Sequence, residues 1–256
     1  MIVGTFNVNS VRARVPVLLK WLQDASPDVL VLQETKVEDG KFPFEDLEPA
    51  GYEIKIHGQK RYNGVAILSK LPIESVECGL GGDWPVDARV IRAVVGGVQI
   101  VNTYVPNGNA VGNEKWEYKM KWMEHFPSFI DDVFDMDAPA IWLGDINVAP
   151  TSMDVYEAEK KLGDVGHHPD EFSRLEKIVD QGWTDCFRKH TPEGEHYTFW
   201  DFRIPNAFDR DLGWRIDHIY ANGALVDKCT RCWVDTDPRV MERPSDHTPL
   251  LAEFTV

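Results

Sequence analysis

Short apolar runs, alternating or continuous and bounded by polar and turn-forming residues, recur along this chain and predict strands. They cover residues 2–8, 28–33, 52–57, 64–69, 73–78, 90–95 and 98–104, and return at 140–143, 214–221, 226–234 and 250–254. A helical period shows in fewer places. Residues 17–23 predict a helix with Pro16 in its first turn. Residues 114–132 predict a long amphipathic helix, because Tyr118, Trp122, Phe126, Phe129 and Val133 recur every three or four positions as one apolar stripe. Pro127 is expected to kink or split it. Residues 171–181 predict a third helix ended by Gly182, and 151–166 reads as a polar connection. Many strands with helices between some of them, and no repeat or linker, predict a layered α/β sandwich in a single domain over residues 1–256.

Six predicted strands end on polar residues unsuited to a core. The ends are Asn7-Val8-Asn9, Gln33-Glu34, Asn102-Thr103-Tyr104 running on to Asn107, Gly144-Asp145-Ile146-Asn147, Asp217-His218 and Ser245-Asp246-His247. Each alone reads as a strand running into a turn, since Asp and Asn are turn formers. Together they need a common explanation, because a buried carboxylate costs several kcal/mol unless paired or bound to a cation. Convergence on one site supplies it. On an extended backbone Asp145 and Asn147 would project to the same face. Gathered acids repel one another, so the site calls for a divalent cation. Glu34, Asp145, Asn7 and Asn147, with at most one histidine, make an oxygen-rich ligand set that suits Mg²⁺ or Mn²⁺ rather than zinc. A hard cation beside a water and a phosphate is the setting for phosphoryl hydrolysis. His247 is the natural proton-handling partner, and Asp217 the carboxylate that would orient it.

Composition narrows the class. The 256 residues are 43% hydrophobic and 27% charged, ordinary for a soluble globular protein. No apolar run approaches the ~20 residues that cross a bilayer. The N-terminus reads as a strand with no basic-then-apolar leader, so no membrane association is expected and the cytoplasm is. Cys229 and Cys232 have the spacing of a metal knuckle, but no second pair follows, so reduced thiols on a strand are expected. The net charge of −15 is unusual for a nucleic-acid protein and shifts attention to where cations gather locally.

The chain resembles the exonuclease III family of abasic-site endonucleases, within the endonuclease/exonuclease/phosphatase superfamily. The motifs are FNVNSVRAR, PDVLVLQETK, YNGVAILSK, NTYVPNG, WLGDINVAP, YTFWDFR, GWRIDHI and PSDHTPL, spread from Phe6 to His247. The resemblance implies a four-layer αββα sandwich, DNase I-like, with two facing mixed sheets flanked by helices. It implies Mg²⁺-dependent hydrolysis of double-stranded DNA 5′ to an abasic site, leaving a 3′-hydroxyl and a 5′-deoxyribose phosphate, with some 3′–5′ exonuclease activity, by a monomer. Under it Glu34 is the metal-binding glutamate, Tyr104 the active-site tyrosine, and Asp145 the aspartate that activates water or handles the leaving group. Asn147 orients that aspartate, and Asp217 and His247 form the Asp–His pair. Asp246 and His247 border the metal, and Asn7 supplies a nearby amide. Asp145 and His247 both fit the role of general base.

An abasic nucleotide is read by flipping its sugar into a snug apolar pocket. Phe199, Trp214 and Ile216 match the family's pocket positions, and Trp214 lies three residues from Asp217. Lys60, Arg61 and Asn107 are the expected substrate contacts, with Lys115, Lys119, Lys121, Arg203 and Arg210 as further cations nearby. The loop at Asn109, Ala110 and Val111 departs from the family's basic versions and carries no charge. Two other classes compete: a phosphodiesterase of the same superfamily acting on a lipid or small phosphate ester, and a DNA-binding scaffold without catalysis. The pocket segment favours DNA, and the intact polar residues favour an enzyme.

Overall fold

The computed structural model describes residues 1–85 and 87–256. Among them twelve strands form two six-stranded sheets. The strands are β1 (Ile2–Asn7), β2 (Val29–Gln33), β3 (Glu53–His57), β4 (Val65–Ser69), β5 (Ile73–Cys78), β6 (Val90–Val95), β7 (Val98–Tyr104), β8 (Ala140–Asp145), β9 (Trp183–Asp185), β10 (Asp217–Asn222), β11 (Cys229–Val234) and β12 (Leu250–Phe254). The α-helices are α1 (Val11–Ala25), α2 (Phe44–Leu47), α3 (Glu114–Val133), α4 (Ala158–Lys161), α5 (Pro169–Val179) and α6 (Cys186–His190). One sheet runs β11-β12-β1-β2-β4-β3 and the other β5-β6-β7-β8-β10-β9. Each has one parallel pair at its centre, β1–β2 and β7–β8, so both sheets are mixed.

Strand alternation builds the layers. Val3, Val29, Val31, Ile67, Ile100, Ile141, Leu143 and Ile219 fill the space between the sheets. Their neighbours face outward. Leu30, Leu32 and Leu68 pack under α1, and Val101, Trp142 and Tyr220 pack under α3 and α5. This is a helix–sheet–sheet–helix sandwich. Carrying the inward rows forward gives Asn7 on β1, Tyr104 on β7 and Asp145 on β8, and carrying the β10 row back gives Asp217. The polar residues are therefore the last rungs of the apolar filling.

Several boundaries differ from expectation. Helix α1 begins at Val11, six residues early, and Pro16 lies inside it rather than in its first turn. The start is fixed instead by Ser10 and Val11, whose amides donate to Glu34 O and Thr35 O. Helix α3 continues through Pro127, whose carbonyl accepts a bond from Gln181 Nε2 at 3.0 Å. Its buried face also takes in Trp116, Lys119, Met120, Met123 and Ile130, while Tyr118 and Val133 are half-buried. Helix α5 starts at Pro169, two residues early, capped by His168 and Glu171. Trp214 precedes β10, held by isolated bridges to Val155 and Phe199 rather than in a continuous strand. The strand before the C-terminal hairpin begins at Cys229, a short 3₁₀ turn occupying Val226–Lys228. The short β9 and α6 carry too few residues to show a period. Cys229 and Cys232 lie buried on β11, near Cys186 of α6, and all are free thiols.

Candidate active site

The inward rows run out at one end of the sandwich, and there the polar side chains meet. Asn7 ends β1, and Glu34 follows β2 with a left-handed φ of 51° that turns the chain. Tyr104 pairs with Asp145 across β7–β8, and Asp145 with Asp217 across β8–β10. A Cβ on Gly144 would stand 2.0 Å from Thr103 O, so only glycine lets β7 and β8 close up just before Asp145. His247 arrives on the segment before β12 and bridges to Phe199.

The donor atoms of Glu34, Asp145 and His247 lie within 4.8 Å of one another. Asn7 Nδ2 donates to Glu34 Oε1 and to Asp145 Oδ2, both at 2.8 Å, and so joins the sheets. His247 Nδ1 stands 2.8 Å from Asp217 Oδ2, and its Nε2 3.9 Å from Asp145 Oδ2. Burial pushes the Asp145 carboxyl up to about 8, reinforced by Asp217 and Glu34 against the pull of His247. Burial opposes the charged form of His247, yet Asp217, through charge and hydrogen bond, carries it up to about 10 with help from Asp145 and Asp246. Burial works to raise Glu34, but Lys36 and Asn7 hold it below the usual carboxylate range. Burial and the neighbouring Glu34 and Asp145 raise the Tyr104 phenol well above its ordinary value. Two carboxylates and an imidazole, gathered with surplus negative charge, fit a hard divalent cation.

Other expected ligands are placed differently. Asn7 presents its amide nitrogen, not its oxygen, to the two acids. The left-handed φ of 54° at Asn147 ends the extended backbone, so it does not share a strand face with Asp145. Its backbone N–H donates to Asp145 Oδ1 at 3.0 Å. Its side-chain oxygen accepts from Asn107 Nδ2 at 2.9 Å, and its Nδ2 donates to Val105 O. Asp246 Oδ1 accepts from Asn9 Nδ2 at 2.9 Å and lies outside the three-donor group.

Beside the acids Phe199, Trp214, Ile216, Asn107, Asn147 and Gly166 line a cavity of about 170 Å³. The Phe199 ring lies 4.8 Å from that of His247, so the apolar wall and the reactive groups adjoin. Across Asn107 a hollow of about 440 Å³ reaches Arg89, Tyr104, Lys115 and Tyr118. Lys60 and Arg61 share a third hollow, about 230 Å³, with Arg12, Lys36 and Lys41. Cations therefore cluster next to the site in an acidic protein. Lys119 is not among them: it is fully buried and paired with Glu171. Arg203 is bound to Asp201 at 2.6 Å, and Arg210 donates to Pro205 O at 3.3 Å.

Several supporting residues escape sequence reasoning. Lys36 Nζ pairs with Glu34 Oε2 at 2.7 Å and donates to Asn9 Oδ1. The Arg89 guanidinium lies 4.7 Å over the Tyr104 ring and donates to its carbonyl. Thr198 Oγ1 accepts from the amides of Ile216 and Asp217. Below the site two residues of the expected polar strand ends meet in a bond the sequence did not specify: Gln33 Nε2 donates to Asn102 Oδ1 at 2.7 Å, a polar floor under the acids. These contacts join residues up to 69 positions apart, as in Gln33–Asn102, and no local pattern encodes that.

On the far side of segment 214–217 lies a second charged cluster. Arg215, fully buried, donates from Nε to Asp154 Oδ1 at 2.7 Å and pairs through Nη1 with Asp185 Oδ2 at 2.8 Å. Arg188 Nε donates to Asp154 Oδ1 at 3.2 Å. Burial works to raise both carboxyls, yet Arg215 above all holds Asp154 and Asp185 below the usual range.

Comparison with known proteins gives concordant matches. Residues 4–247 match the Endonuclease/Exonuclease/phosphatase family. The chain is 33% identical to exodeoxyribonuclease III of Haemophilus influenzae over 263 residues, covering 98% of each. Among solved structures it resembles an AP endonuclease from Archaeoglobus fulgidus, with a TM-score of 0.97 and 40% identity over 100% of both chains. It also resembles a 3′ phosphatase from Neisseria solved with a product DNA hairpin, with a TM-score of 0.96 and 39% identity, again over 100% of both.

Proposed function

The chain belongs to the endonuclease/exonuclease/phosphatase family, and from that premise we propose that it cleaves duplex DNA 5′ to abasic sites as a Mg²⁺-dependent enzyme. It is a DNA-repair nuclease of the exodeoxyribonuclease III and AP endonuclease type, a metal-dependent hydrolase. The abasic substrate and the choice of Mg²⁺ are our reading. So are a single domain acting as a monomer and, from the four free cysteines, a reducing cytoplasmic setting.

The observation that carries the reading is the contact between the three-donor group and the apolar cavity, made through Phe199 and His247. The cavity of about 170 Å³ suits a base-less sugar. Trp214 and Ile216 would flank that sugar, and Lys60, Arg61 and Asn107 would hold the neighbouring phosphates. Glu34 and Asp145 would hold a divalent cation, which would supply polarisation of the scissile phosphate, while His247 beside them stays free to carry its proton.

The protein's own groups divide the rest. Asp217 fixes the His247 tautomer, so that Nε2 faces Asp145 and the phosphate. Asp145, held by Asn7 and by the Asn147 amide, would take a proton from the attacking water with its carboxyl kept ionised by a bound cation. The protonated His247 stabilises the charge that develops on the phosphate. Tyr104, kept neutral by burial and the two acids, donates from its hydroxyl. The test is a duplex with one abasic site, an undamaged duplex and a phosphate-ester lipid, each with Mg²⁺ and with chelator. Rapid Mg²⁺-dependent scission of the first, slow trimming of the second from 3′ ends and no action on the third are expected. Preferential hydrolysis of the lipid would overturn the reading.

A further inference from the structure

The buried pair Lys119–Glu171 lies behind the wall of the site and touches none of the reacting groups. Both side chains are fully buried, one on α3 and the other on α5. A buried ion pair contributes little to stability compared with an apolar pair of the same size, so its presence asks for another explanation. Its hydrogen bonds supply one. Lys119 Nζ donates to Asn147 O at 2.8 Å and to Asn107 O at 3.3 Å. Glu171 Oε2 accepts from the amides of Gly166 at 2.8 Å and His168 at 3.1 Å. The stem of Lys119 also fills the space where a Cβ on Gly108 would stand, 3.2 Å from its Cδ. One ion pair thus holds three separate stretches, at Asn107, Asn147 and Gly166, and all three line the cavity beside Trp214.

Asn147 has particular need of such a hold. It sits in a left-handed conformation that a non-glycine residue adopts at a cost. In that conformation its N–H reaches Asp145 and its side chain reaches Asn107 and Val105. The ammonium on its carbonyl fixes the peptide from the other side. Burial lowers the Lys119 amine below its ordinary range, and Glu171 counters by charge and hydrogen bond.

We propose that Lys119, kept in place by Glu171, is a positioning residue for DNA cleavage that acts through Asn147, fixing the peptide that holds Asp145 and the wall of the sugar cavity. The inference rests on the nuclease reading above. Its test is the double variant Lys119→Met/Glu171→Gln, which removes both charges together and leaves an acceptor for the Gly166 and His168 amides. With abasic duplex and saturating Mg²⁺, kcat should fall by about 10- to 100-fold, the usual reach of supporting residues, with KM changed only a few-fold. Lys119→Arg, which keeps the charge and both carbonyl acceptors, should stay within a few-fold of the parent and covers the case in which the double variant does not fold. Parental kcat in the folded double variant would overturn the proposal, as would a folded Arg variant slowed 10-fold or more. Absence of cleavage by the parent protein would overturn the nuclease reading and this inference with it, whereas an active parent with unimpaired variants would overturn this one alone.

Discussion

Two clusters of buried charge flank the segment that leads into β10, and they are built on opposite plans. Around Arg215 the charges match: Asp154 and Asp185 face Arg215 and Arg188, and both carboxyls are held below their usual range. Around Asp145 they do not: Glu34 and Asp217 crowd a carboxyl that burial pushes up to about 8. The two clusters lie a few residues apart in sequence, with Arg215 and Asp217 separated only by Ile216. Burial is common to both, so burial alone does not distinguish scaffold from site. Between the central carboxyls, Asp145 of the site and Asp154 of the scaffold, the sign of the shift does; Glu34 at the rim is lowered by Lys36 although it belongs to the site. A crowded, unpaired carboxyl such as Asp145 marks the place where something else is to bind.

The contrast breaks first at Asp145. Asp145→Asn should cut abasic-site cleavage by on the order of 10³-fold or more. The same change relieves the crowding, so the melting temperature in chelator should rise by roughly 2–6 °C. Loss of melting temperature together with activity would show Asp145 to be structural after all. Next in size is Arg215→Met, which takes the guanidinium from Asp185 and leaves buried Asp154 with Arg188 alone, and should cost roughly 3–5 kcal/mol in urea unfolding. A cost under about 1 kcal/mol would erase the distinction between the clusters.

The smallest effect is the pH profile of stability without metal. Asp154 and Asp185, depressed when folded, contribute stability that is present above the unfolded carboxylate range and lost as pH falls through it. Asp145 works the other way. Its folded pKa is raised, so stability declines as pH climbs from about 4 toward 8. His247, raised to about 10, adds to the decline above its unfolded value of about 6.5. Urea midpoints measured from pH 4 to 8 should therefore fall on the upper side, and Asp145→Asn should flatten that slope without touching the acid limb.

Much of this plan is legible in the chain. Strands β5, β6, β7 and β12 begin and end where the apolar runs do; β6, β7 and β12 face the apolar filling along their length, and β5 meets it at Ile73 and Val76. The acids that converge are those placed where alternation meets a turn, and that much is local information. What escapes is set by tertiary contact. Pro16 suggests a helix start, but the loop at Glu34 and Thr35 sets it. Lys119 reads as a surface cation by type, although its spacing from Trp116, Met120 and Met123 puts it on the buried face of α3. Asn147 matches a family position, but its left-handed turn, and so its role through the backbone, follows from the end of β8. Arg215 lies between two pocket residues and points away from both, toward partners 61 and 30 positions distant.

Glu34 and Asp145 hang from opposite leaves of the sandwich, joined across the gap by the amide of Asn7. The separation of the two acids is thus gauged by the thickness of the hydrocarbon between the sheets. Val31 and Ile141, buried well below the opening, would act as spacers for the proposed cation cage without touching it. A methylene added or removed there would change the fit of the ion before it threatened the fold, which makes the interior of this protein part of its tuning.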